Sequence, residues 1–125
     1  MADTFQASYD DGAEILLVRS VGGASHDRHV ELLEQAVRLC QQRGWSRLLL
    51  DLRDLTTPGI RAVDCFAFGE RLAAIPHHLR VVNVLPSDDK AAHDLRFAGI
   101  VAANRGRPVR EFEDFDAARS WLLAH

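Results

Sequence analysis

The apolar positions change period repeatedly along the chain, and each change marks an element. Thr4 to Tyr9 reads as a weak strand, and Asp10-Asp11-Gly12 has the composition of a hairpin turn. Glu14 to Ser20 (E-I-L-L-V-R-S) reads as the second strand, ended by Gly22-Gly23. From His26 to Arg43 the spacing becomes helical. Val30, Leu33, Val37 and Cys40 recur on one stripe, widened by Leu32, Ala36 and Leu39, with Asp27, Glu31, Glu34 and Arg38 opposite. Ser25 stands at the N-cap position of this helix and Gly44 at its stop.

The alternation continues to the end of the chain. Arg47 to Arg53 (R-L-L-L-D-L-R) is a third strand, and a helix from about Ile60 to Ile75 stops at Pro76. Leu79 to Leu85 is a fourth strand, ended by Pro86. A helix over Lys90 to Asn104 is followed by the stop signals Gly106 and Pro108. Val109 to Phe112 is a short fifth strand, and Asp114 caps a final helix through Leu123. With no internal repeat or linker, residues 1–125 read as one α/β domain. Helices of ten residues or more between strands imply parallel β-α-β units with right-handed crossovers.

Within that class, the strands choose between two layouts. A sheet covered on both faces has strands that are apolar throughout. Here Leu48, Leu50 and Leu52 point one way, while Arg47, Asp51 and Arg53 point the other with Leu49, and Asn83 falls between Val81 and Leu85. The pattern predicts helices mainly on one side, as right-handed crossovers give when each strand is laid beside the one before.

Four segments carry a resemblance: V-G-G-A-S (Val21 to Ser25), L-L-L-D-L-R-D-L-T (Leu48 to Thr56), A-N-R-G-R-P-V-R-E-F (Ala103 to Phe112) and D-F-D-A-A-R-S-W-L (Asp114 to Leu122). In order and spacing they resemble the SpoIIAA-like, or STAS/SEC14-type, bacterial domains over most of the chain. The resemblance implies a mostly parallel five-stranded sheet in sequential order, its first strand antiparallel in a hairpin, with four helices mainly on one face. Well-known members antagonise anti-sigma factors and are phosphorylated on a serine of a D-S-S-G motif that opens the helix after the third strand. This chain has Asp54-Leu55-Thr56-Thr57-Pro58-Gly59 there, without a serine. Thr56 and Thr57 are the candidate phospho-acceptors, or an anion site at a helix N-terminus. With the motif broken, the expectation is that neither is phosphorylated, and that Thr57-Pro58 simply begins a helix.

Composition adds mainly exclusions. At 47% hydrophobic and 26% charged, the chain is ordinary globular material. A net charge of −3 argues against non-specific binding to nucleic acid. No apolar run approaches the roughly 20 residues of a membrane-spanning helix, and Met1 to Phe5 lacks a secretory pattern, so a cytoplasmic location without membrane insertion is expected. Cys40 and Cys65 fall inside helices without a C-x-x-C pair and read as reduced packing thiols.

Ligands of parallel sheets gather beyond the carboxyl ends of the strands. The loops meeting there carry Ser25, His26, Asp54, Asp88 and Asp89, a candidate pocket with carboxylates and an imidazole. Capping and turn formation compete for the same residues. His26 and His29 lie a helical turn apart without a third ligand at metal spacing, so no metal, cofactor or catalytic residue is expected. Gly22-Gly23-Ala24-Ser25 lacks the Gly-Lys-Ser/Thr ending of a phosphate loop. Arg96, Arg105, Arg107 and Arg110 read as helix-end cations.

The second helix has the more suggestive surface. Cys65, Phe68, Leu72 and Ile75 form one face at helical spacing, and Ala62, Phe66 and Ala73 extend it toward the other side. Ile60, Val63, Ala67 and Ala74 lie opposite, as a candidate partner-facing surface. The function expected from all this is a non-enzymatic regulatory or protein-interaction domain, with a homodimer as its expected form. The alternative is a small-molecule or lipid-binding module, since SEC14-type relatives carry apolar ligand pockets.

Overall fold

The computed structural model describes residues 4–22, 26–56 and 62–125. Its elements are β1 (Thr4–Asp10), β2 (Ile15–Val21), α1 (His26–Arg43), β3 (Arg47–Asp51), α2 (Ala62–Ala73), β4 (Arg80–Val84), α3 (Asp89–Asn104), β5 (Arg110–Phe112) and α4 (Phe115–Ala124). Each expected element is present, with ends displaced by a residue or two. The expected caps Ser25 and Thr57-Pro58 lie outside the described residues.

The strands form one sheet in the order β1-β2-β3-β4-β5. β1 is antiparallel to β2, pairing Thr4 with Val21 and Asp10 with Ile15. The other three pairs are parallel, aligning Leu16 with Leu48, Leu48 with Val81, and Asn83 with Glu111. In the hairpin, the Asp10 carboxylate accepts from Ala13 N–H at 3.2 Å, and Glu14 takes a left-handed φ of 54°.

Alternation along the strands divides the core into two layers. Leu16, Val18, Leu48, Leu50 and Val81 meet Leu33, Ala36 and Cys40 of α1, Leu72 of α2, and Ala98 and Ala102 of α3. Ile15, Leu49, Val82 and Val84 point the other way, onto Ala118 and Leu122 of α4. Three helices therefore cover one face and α4 covers part of the other, each buried Leu or Val contributing about 1.5–3 kcal/mol. Leu49 is buried under α4 rather than stranded on a polar face. Asn83 needs a correction as well: it marks no open face, being 1% exposed on the side covered by three helices.

Local chemistry fixes the helix ends. Gly44 follows α1 at φ 69°, a conformation that costs glycine nothing. Asp88 caps α3 by accepting from Ala91 N–H at 2.9 Å, and Asp114 caps α4 by accepting from Ala117 N–H at 3.1 Å. α2 and α3 approach so closely at Gly69 that a Cβ there would lie 2.5 Å from the Ala98 carbonyl oxygen and 2.6 Å from Val101 Cβ. On the opposite face α4 reaches back to the hairpin, where Arg119 donates to Asp10 at 2.8 Å. That bond holds the Asp10 carboxyl below the usual carboxylate range, with Ala13 N–H assisting.

Candidate functional site

Beyond the carboxyl ends of the strands, the segment after β3 is stapled to the end of β2. Gly22 N–H donates to the Asp54 carbonyl at 3.2 Å, and Thr56 N–H donates to the Gly22 carbonyl at 2.9 Å. Leu55 is buried between them, while Asp54 and Thr56 are exposed. The Asp54 carboxylate is engaged by the Arg19 guanidinium. Asp51, buried on the α4 face, accepts from Arg53 Nε at 2.9 Å and Nη2 at 2.8 Å. Burial opposes ionisation of Asp51, but these bonds outweigh it and hold its carboxyl below the usual range.

The described members of the expected loop-end set are separately engaged. Asp88 is committed to capping α3. Asp89 lines a polar cleft of about 240 Å³ with Ser87, Arg96 and Glu113, and Asp54 is not among its walls. Ser25, Thr57 and Ile60 fall outside the described residues, as does the side chain of His26 at the start of α1. The four arginines also disperse: Arg96 pairs with Glu113, Arg105 with Glu70, and the buried Arg107 donates to the Leu79 carbonyl, while Arg110 stacks on Trp121. Among the described residues, no three His, Cys, Asp or Glu gather as metal ligands, and no helix is long and apolar enough to cross a membrane. Cys40 and Cys65 are buried free thiols, and burial pushes Cys40 up to about 11.

Two apolar features occupy the three-helix side instead. The first is a cavity of about 40 Å³ between the ends of β2 and β3 and the three helices. Val18, Leu32, Leu33, Leu50, Leu52, Leu55, Phe68 and Leu95 line it, with Ser20 and His29 as its polar members. The His29 ring meets Phe68 edge-on at 6.3 Å. Ser20 follows Leu16 and Val18 on the inward face of β2, and that alternation was the one signal in the sequence for this site.

The second is an exposed ridge. Val63 (60% exposed) and Phe66 rise from α2, and Phe97 and Ile100 (58%) from α3. The outward placement of Val63 and Ala74 agrees with the helical spacing, and Ala67 is half-buried. Phe66, which carries the apolar face toward the other side of the helix, is exposed, with the Arg105 guanidinium 5.6 Å from its ring centre. Phe97 and Ile100 were not singled out, because neither differs in type from the buried residues of the same helix.

No protein-family model and no curated protein sequence matches the chain. Among solved structures, it is similar to an uncharacterized protein of the DUF3478 family with a SpoIIAA-like fold from Shewanella loihica PV-4. The TM-score is 0.54 at 17% identity, over 97% of this chain and 93% of that one. The class defined is therefore a SpoIIAA-like α/β domain with a sequentially ordered sheet. At 17% identity the likeness establishes the fold alone.

Proposed function

We propose that this protein is a non-catalytic protein-interaction domain that pairs with a second copy of itself through α2 and α3. The observation carrying this reading is the ridge of Val63, Phe66, Phe97 and Ile100, apolar side chains left in water on two adjoining helices. Charge supports a like partner. Glu70 and Arg105, paired at 3.1 Å, stand beside the ridge, so a two-fold axis crossing the line between them sets each sign against its opposite. A non-catalytic role is favoured by the employment of the loop aspartates, Asp54 by Arg19 and Asp88 by the start of α3.

Light scattering across a concentration series tests the proposal. The expected mass is near twice 13.9 kDa at high concentration, falling to 13.9 kDa for Phe66→Glu or Ile100→Glu. Both residues are exposed, so neither change should unfold the chain. A monomer at every concentration up to about 1 mM, the regime of the weakest specific pairing, overturns it.

A further inference from the structure

We infer that Glu111 and Asn83 form a proton-operated switch beneath α3, closed when the Glu111 acid donates a hydrogen bond to the Asn83 amide oxygen and open when the carboxyl has lost that proton. Closed, it seats α3 on the sheet and fixes the placement of Phe97 and Ile100. Its effect on assembly rests on the pairing proposed above, whereas the switch itself does not.

Three features of the structure converge there. Asn83 of β4 and Glu111 of β5 are register neighbours on the face that α3 covers. Adjacent strands lie about 4.8 Å apart, so side chains of this length on one face reach each other. The second feature is a surplus of acceptors. Asn83 is 1% exposed, and its Oδ1 and Glu111 Oε2 are both buried without a hydrogen-bond partner among the described residues. Two neighbouring oxygens without a donor repel, and a single proton between them replaces that repulsion with a bond. The third feature is the roof over the carboxyl. A Cβ at Gly99 would lie 3.2 Å from Glu111 Oε2 and 3.3 Å from its Cδ, so the acid packs directly against the α3 backbone. Gly99 lies between Phe97 and Ile100, the α3 half of the exposed ridge.

The surrounding charges do little to keep Glu111 ionised. Arg96 of α3 acts on the carboxyl, but it also reaches Glu113 at 3.4 Å. Arg110, the next residue on β5, stacks on Trp121, and Glu70 of α2 pairs with Arg105 at the end of α3. β4 contributes only the uncharged Asn83. Burial therefore dominates and favours the protonated acid. An ionised carboxylate gains water and the Arg96 charge by swinging out from under Gly99, which leaves α3 unsupported at the centre of the ridge. Rising pH opens the switch, and protons favour the paired form.

The test is a pH titration of the full chain, with the Glu111 carboxyl carbon and the Asn83 and Gly99 amides followed by NMR. The carboxyl carbon should titrate above the ordinary glutamate region, and both amides should shift along the same curve. Glu111→Gln, whose amide keeps a donor for Asn83, should abolish that shared transition. Gly99→Ala crowds the carboxyl and should return Glu111 toward the ordinary region. Light scattering reads the consequence for assembly. Between about pH 5 and 8, pairing should weaken about tenfold more in the unaltered chain than in Glu111→Gln, as linkage gives for one unit of difference between the open and closed forms. A Glu111 carboxyl titrating at or below the ordinary region, or an Asn83 amide that does not follow it, overturns the switch. Equal pH dependence of pairing in both chains overturns its coupling to assembly. Absence of pairing at every pH, with the shared titration intact, overturns the pairing and supports the switch.

Discussion

Glu111 and Asn83 are register neighbours on β5 and β4, and both point under α3. Glu111 Oε2 and Asn83 Oδ1 are buried without a hydrogen-bond partner among the described residues. Burial raises the Glu111 carboxyl above its usual range, and the nearby Arg96 only partly opposes this. The sign follows from linkage. Below the usual glutamate value both folded and unfolded chains hold the proton, so this group adds no pH dependence. As pH rises from there toward the raised folded value, the unfolded chain releases its proton first, and stability falls. Asp51 acts in the opposite direction, its contribution being lost as pH drops through its lowered folded value. Glu111→Gln should flatten the fall above about pH 4.5, the ordinary glutamate region, and stabilise the chain near pH 7 by about 1 kcal/mol, since the amide supplies a donor for Asn83. Urea denaturation between pH 4 and 8 checks this, and an unchanged slope would sink it. None of this was legible in the sequence. Asn83 looked like the mark of an open face, since a polar residue in a strand carries no sign of which layer will cover it. Phe97 escaped for the converse reason: an apolar residue of α3 looks alike whether it faces the sheet or water, and only the packing shows that it is exposed.

At the scale of elements, the sequence was far more informative. Alternation and stop signals located all nine elements, because Gly44, Pro76, Pro86 and Gly106 interrupt the backbone whatever packs around it. The candidate site was less legible, since Asp88 has the same composition as a ligand-binding carboxylate and a helix cap, and only geometry shows that it caps. The seam between α2 and α3 depends on a glycine that no helical pattern would favour. In an isolated helix, Gly69→Ala would gain about 1 kcal/mol. Here the new Cβ meets backbone at 2.5 Å, which a flexible side chain's yielding cannot relieve. Separating the helices should outweigh that gain, for a net loss of about 1–3 kcal/mol. The denaturation midpoint should fall accordingly, and a more stable variant would show that the seam is slack. A rigid seam also keeps Phe66 and Phe97 in one fixed surface, as the proposed pairing requires.

For the whole molecule, the sequential strand order was legible and the position of α4 was not. The three leucines of β3 left the layer of Leu49 ambiguous until Ala118 and Leu122 were seen beneath it. A sheet laid down strand by strand contains mostly near-neighbour contacts and has no intrinsic reason to come apart in one step. α4 supplies one, for the Arg119–Asp10 bond joins residues 109 positions apart and Ala13 of the hairpin packs in the layer that α4 covers. On the ribosome, the nascent chain would assemble β1 to β5 progressively but remain open-backed until α4 emerged. The latch thus converts a stepwise assembly into a cooperative one. In the intact chain carrying Trp121→Phe, so that Trp45 alone is read, the change in fluorescence and the loss of far-UV circular dichroism should coincide. They should separate after removal of residues 114–125, with the edges of the sheet melting before its middle.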